Sequence, residues 1–258
     1  MHIPRVSIPA TFLMLLALCF ASSGFAENVD EDAILLLKKA TSTLVGAEQL
    51  KLTAEFGFDV LQDDGQKLEF GARQEISIQR PDKARVSFTR RDGVNGGILF
   101  DGKRIAFFNH DEKVYAIEPF EGDIDAAFDH LAGELGIPMP LNDFFSSDPA
   151  RALAEKLDSG YVVGESTVAG VLCDHLAMRN DEVDFQVWIA RGENPLPRRI
   201  VITYKKEEGS PQFWAQFIDW DLAPKINDKT FAFDPPEGSE EIQFAVIEPG
   251  AGDEGGQP

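Results

Sequence analysis

The chain has 258 residues, 44 of them acidic and 24 basic, for a net charge near -20. A surface so acidic repels nucleic acid and anionic membranes alike, so neither partner is expected, nor is stable membrane insertion. Of the two cysteines, Cys19 falls in an N-terminal leader, which leaves Cys173 without an intramolecular partner. A disulfide scaffold is thereby excluded, and the fold has to rest on its core.

The leader is a targeting signal. Arg5 is the only formal charge before Glu27, Ala10 to Phe20 is apolar, and Gly24-Phe25-Ala26 offers small residues for cleavage after Ala26. The apolar run falls short of the roughly 20 residues that a spanning helix needs. Leu16-Ala17-Leu18 before Cys19 puts a bulky residue where a lipoprotein signal wants a small one. The expectation is a soluble periplasmic protein beginning at Glu27, with residues 1–26 removed. A single domain follows over 27–247, then a Gly-, Glu- and Pro-rich tail, 248–258, expected to be disordered. Loss of Arg5 leaves 23 basic against 44 acidic residues, a net charge near -21.

Asn28 to Val45 has the pattern of a helix. Asn28 offers a cap and Glu31 completes a capping box. Asp30, Glu31 and Asp32 suit the first turn, and Val29, Ala33, Leu36, Leu37, Ala40 and Leu44 form one apolar stripe. The period then drops to two. Leu50, Leu52, Ala54, Phe56, Phe58 and Val60 alternate with polar residues or glycine. After a turn around Asp64-Gly65, Leu68, Phe70, Ala72, Ile76 and Ile78 lie on one side, and Ala84, Val86 and Phe88 continue the pattern. Strands apolar on one face belong to a sheet covered on one side only.

Three short β runs are expected in all between Lys83 and Glu118. Asp92-Gly93 with Asn95-Gly96-Gly97, Asp101-Gly102 and Asn109 to Glu112 punctuate them as hairpin turns. A helical pattern returns at Asp123, with Ile124, Ala127, Phe128, Leu131 and Leu135, and stops at Gly136 ahead of Pro138 and Pro140. Asp148 caps a second helix carrying Ala152, Leu153 and Leu157. Further strands are expected over Tyr161–Leu172, His175–Met178, Asp184–Ala190, Arg198–Tyr204 and Gln212–Leu222. Phe231 and Phe233 then anchor a last short piece. About ten antiparallel strands with helices in two places predict an α+β fold, a strongly curved antiparallel sheet forming an open barrel wrapped over the helices.

The order helix, meander, Arg80-Pro81 with Arg85, then Asp101-Gly102-Lys103 resembles the LolA and LolB periplasmic lipoprotein carriers. More closely, the chain resembles an uncharacterised family of bacterial periplasmic proteins within that superfamily. The segments that carry this are Arg80-Pro81-Asp82-Lys83, Pro140-Leu141-Asn142-Asp143 and Cys173-Asp174-His175-Leu176-Ala177, then Asp184 to Ile189, Pro195 to Arg199, and Pro211-Gln212. The resemblance implies an incomplete barrel enclosing an apolar cavity around helices.

Motifs for chemistry are sparse. Cys173 and His175 share a strand face, but two ligands are half of a structural zinc site, and His110 and His130 have no ligand spacing. Gly164-Glu165-Ser166-Thr167-Val168 fails the nucleophile-elbow pattern at its last position. No phosphate or dinucleotide fingerprint is present, so no catalytic set, metal or cofactor is expected. The 20 phenylalanines are the stronger signal. Phe56, Phe58, Phe70, Val86 and Phe88 are expected to form one apolar lining, wider than the helices can fill. Trp188 is expected opposite Phe185, Val187 and Ile189, and Trp220 on one face with Trp214 and Ile218. Arg198 and Arg199 are expected to pair with acids. The chemistry points first to a non-catalytic binding protein for a lipid, lipoprotein acyl chain or other apolar ligand. The alternative is an envelope interaction or assembly factor, with a protein partner and a filled interior. An enzyme comes third.

Overall fold

The computed structural model describes residues 29–244 except residue 155. The expected leader, Asn28 and the tail lie outside the described residues. The first helix, α1 (Glu31–Val45), is capped by Asp30, whose carboxylate accepts a hydrogen bond from the backbone N–H of Asp32. The cap therefore sits two residues later than Asn28. The buried stripe is Ala33, Ile34, Leu37, Ala40, Thr41 and Leu44, with Leu36 at its margin.

A meander follows: β1 (Gln49–Leu61), β2 (Lys67–Gln79), β3 (Lys83–Arg90), β4 (Asn95–Phe100), β5 (Arg104–Asn109) and β6 (Val114–Pro119). Then come α2 (Ile124–Gly133), capped by Asp123, and two short helices, α3 (Asn142–Phe145) and α4 (Pro149–Ala154). Five strands complete the main run: β7 (Ser159–Val168), β8 (Val171–Arg179), β9 (Val183–Ala190), β10 (Pro197–Tyr204) and β11 (Gln212–Asp221). A 3₁₀ turn, Asp228–Phe231, and the short β12 (Glu240–Glu241) end the described chain.

All twelve strands among the described residues belong to one sheet, ordered β12-β6-β5-β4-β3-β2-β1-β11-β10-β9-β8-β7. Neighbours are antiparallel except β12, which runs parallel to β6. The sheet is curved and not closed, an open barrel with helices against its inner face. Bulges help it bend, because an extra residue in one strand kinks it and raises the local twist. They fall at Val163 in β7, Arg198 in β10 and Ile218 in β11.

Several expectations need correcting. Gly96 and Gly97 are strand residues, paired with Phe88 and Ser87, and the turn lies just before them. Their bareness serves packing: a Cβ on Gly96 would stand 2.7 Å from the Phe88 ring, and one on Gly97 2.5 Å from the Phe108 ring. The run Tyr161–Leu172 is two strands split by a tight turn at Ala169-Gly170, both with positive φ. Trp220 does not share a face with Trp214. The bulge at Ile218 reverses the alternation, so Trp220 turns inward to pack at 5.0 Å on Phe217, and its indole N–H donates to the Pro197 carbonyl. Trp188 does lie on the outer face, stacked on the His175 ring at 4.2 Å. Phe231 and Phe233 are both buried, and Phe233 packs on Phe108.

Candidate functional site

The inner face of β1, β2 and β3 is set by alternation, and the register then decides which side chains meet. Phe58 sits directly opposite Phe70, with rings stacked at 6.1 Å. Phe56 faces Ala72, Gln74 faces Phe88, and Ile76 faces Val86. From β11, Phe213 and Phe217 reach the same surface, with Phe213 stacked on Phe56 at 6.0 Å. Opposite the sheet stand Phe128 and Leu131 of α2 and the stretch from Ile137 to Leu141. Between them lies a cavity of about 710 Å³.

All five residues expected to form the apolar lining, Phe56, Phe58, Phe70, Val86 and Phe88, stand on the wall of this one cavity. Its depth is graded. At one end Ile78, Phe100 and Leu131 are almost wholly buried. At the other, Phe58 and Phe70 are 40% and 43% exposed, and Val60 and Leu68 beyond them are comparably open. The cavity thus has a closed apolar end and an open aromatic mouth. The stretch over it is suited to an apolar surface. The chain leaves α2 through Gly136 at positive φ, the Ile137 N–H bonds back to Leu131, and Pro138 and Pro140 carry no N–H to satisfy.

The charged residues on the wall are Glu69, Arg90, Arg91 and Asp92, all exposed at the mouth. They are paired with each other: Arg91 with Glu69 at 2.5 Å, and Arg90 with Asp92. Glu69 also accepts from the indole N–H of Trp214 at 2.9 Å, and these two hydrogen bonds hold its carboxyl below the usual range. Trp214 reaches Glu69 by lying flat across Gly57, where a Cβ would stand 2.7 Å from the ring. Arg91 and Arg199 stack over that indole at 5.6 and 5.2 Å. Neither Arg198 nor Arg199 makes an ion pair among the described residues. Arg198 donates to the Ile218 carbonyl and Arg199 to the Gln216 side chain.

Elsewhere the chemistry is thin. Cys173 is fully buried, burial pushes its thiol pKa up, and its Sγ bonds the Val171 carbonyl. His175 is held instead by Gln186 at 3.0 Å and by the Trp188 stack. No group of three or more His, Cys, Asp or Glu among the described residues is arranged to hold a metal ion. No helix among them is long and apolar enough to cross a membrane.

One lining residue escaped the pattern. Gln74 stands between Ala72 and Ile76 on the inner face of β2, at a position where every neighbour two residues away is apolar. The signal was present as the single polar break in an otherwise apolar alternation. Phe213 and Phe217 were also missed, because nothing local in β11 says that it pairs with β1 rather than β12 or β7.

An open, one-sheet barrel around an apolar cavity is the class of protein that this fold and site define. The chain belongs to the family described as "Predicted periplasmic protein (DUF2092)", whose model matches residues 33–245. Solved structures are similar to the chain at low identity. An uncharacterized conserved protein from Thermus thermophilus is 10% identical with a TM-score of 0.49, over 83% of this chain and 99% of that one. The Mycobacterium tuberculosis lipoprotein LppX is 13% identical with a TM-score of 0.47, over 77% and 98%. A LolA superfamily protein from Nitrosomonas europaea is 11% identical with a TM-score of 0.38, over 78% and 97%. No curated protein matches the chain in sequence.

Proposed function

We propose that this is a non-catalytic periplasmic binding protein that holds a lipid, a lipoprotein acyl chain or another apolar ligand inside the barrel. The observation that carries the reading is the cavity itself: about 710 Å³, aromatic and aliphatic, closed at one end and open at the other. That volume lies within the range of small-molecule sites. An open cavity also favours the carrier over the interaction factor with a filled interior. The exposed Phe58, Val60, Leu68 and Phe70 continue the apolar surface outward from the mouth, giving a hydrocarbon chain a way in.

Protein purified from the periplasm without detergent, then extracted with organic solvent, tests the reading by mass spectrometry. A stoichiometric lipid is the expected result. A clean extract, together with no binding of the neutral fluorophore N-phenyl-1-naphthylamine, would leave the filled-interior alternative standing.

A further inference from the structure

Gln74 is out of place on an apolar wall. Across the strands it faces Ala54 on one side and Phe88 on the other, and along β2 it is flanked by Ala72 and Ile76. None of the described residues hydrogen-bonds its carboxamide, and the amide atoms keep accessible surface in a residue that is otherwise half-buried. The side chain lines the cavity and its amide is free to hydrogen-bond a group inside it.

Its depth matters as much as its polarity. Along β2 it stands four positions from Phe70 at the mouth and four from Ile78 at the closed end, about 13 Å each way. A ligand that strips water from Gln74 leaves the amide unpaired unless it brings its own hydrogen-bonding group to mid-cavity. That group is uncharged. Among the described residues no ionised side chain lines the wall at this depth, and the charges at the mouth already neutralise one another in two pairs, leaving no counterion there for an anionic head.

We propose that Gln74 is the polar anchor of the cavity and that the ligand is a neutral lipid ester or amide, its carbonyl at Gln74 and an apolar arm on either side. One arm fills the closed end past Ile76, and the other runs past Phe56 and Phe88 to the mouth. The amide N–H donates to the ligand's carbonyl oxygen. A free fatty acid fits less well, because its carboxylate either loses its water at mid-depth or stays at the mouth and leaves Gln74 unmet. This rests on the reading of the cavity as a ligand site.

The test uses the full mature chain loaded with N-phenyl-1-naphthylamine and three competitors of matched length: octyl octanoate, N-octyl octanamide and heptadecane. The ratio of ester or amide affinity to alkane affinity is expected to be about 10- to 100-fold higher in wild type than in Gln74→Leu, the cost of leaving one buried amide unpaired beside an alkane. Gln74→Leu is expected still to bind the alkane, with Gln74→Met as a second variant of similar volume. Both are expected to be at least as stable as wild type, since no protein partner is lost. An ester-to-alkane affinity ratio that is the same in wild type and in Gln74→Leu overturns the anchor and leaves the cavity reading intact. No binding of the fluorophore or of any competitor overturns both.

Discussion

Replacing Phe70 by alanine separates a hollow wall from a packed core. In a solid interior, Phe→Ala removes the transfer energy of the ring and leaves a void, together about 3–5 kcal/mol. Phe231, 2% exposed and off the cavity wall, is the internal control and should cost that much. Phe70 is 43% exposed, so little more than half of a buried ring's roughly 1.5–3 kcal/mol is at stake. Its stack with Phe58 at 6.1 Å adds a fraction of a kcal/mol at so open a site. Truncation also opens onto existing free space, which removes the void penalty. Phe70→Ala should therefore cost roughly 2 kcal/mol or less, read as a shift in urea midpoint at unchanged slope. Phe70→Asn should abolish N-phenyl-1-naphthylamine binding while near-ultraviolet circular dichroism stays native. A loss for Phe70→Ala as large as that for Phe231→Ala, with no probe binding by wild type, would refute the reasoning.

Ala72 lines the cavity between Phe56 and Arg90, and Ala72→Phe would cost about 1–3 kcal/mol in a close-packed core. Here it should cost less than about 1 kcal/mol and weaken probe binding at least tenfold, measured by denaturation and titration in parallel. Cys173 should resist thiol labelling in the folded protein, and Cys173→Ser should lower stability without loosening the probe; rapid labelling would revive a thiol mechanism. Arg179, then Lys205, hold the Asp184 carboxyl down at about 2. A folded pKa below the unfolded one means stability that is in place above about pH 4 and is lost as the pH falls toward 2. Because the pair is solvent-exposed, Asp184→Asn should cost no more than about 1 kcal/mol at pH 7, and the gap from wild type should narrow below pH 4 in urea titrations. Intact-mass analysis of the native protein should give Glu27 as its first residue; an acylated Cys19 there would make the protein membrane-anchored.

Much of the fold was legible because its strands are long and one-faced. The alternation from Leu50 to Phe88 identified β1 to β3, their inner face and five cavity residues, and the hairpins fixed which of those residues would be neighbours. What stayed hidden was non-local or depended on a single inserted residue. Ile218 reads as one more step in β11, yet it is the bulge that turns Trp220 inward, and only pairing with Thr53 and Ala54 reveals it. Gly96-Gly97 reads as a turn by composition, but the rings of Phe88 and Phe108 require bare backbone there. Arg198 and Arg199 were expected to find acids in so acidic a chain. Instead the β10 bulge and the Trp214 ring gave them a carbonyl, an amide and a π face.

The hollow itself follows from lengths that the sequence already contains. β1 and β2 have 13 residues each, about 43 Å of strand with an apolar inner face. Their helical cover, α2, has 10 residues and spans about 15 Å. The longer helix, α1, cannot make up the difference, because it packs on β7, β9, α3 and α4 at the other end of the sheet. After α2, Gly136 and the two prolines keep that helix from continuing, and the stretch from Ile137 to Leu141 roofs the surface without filling it. Two strands almost three times longer than their cover must leave apolar surface unpacked. The phenylalanines along that surface are spaced to line a volume rather than to close it. A protein that needed only stability would have extended α2 by two turns. The helix stops short and leaves Gln74 midway along a cavity wall that no helix covers.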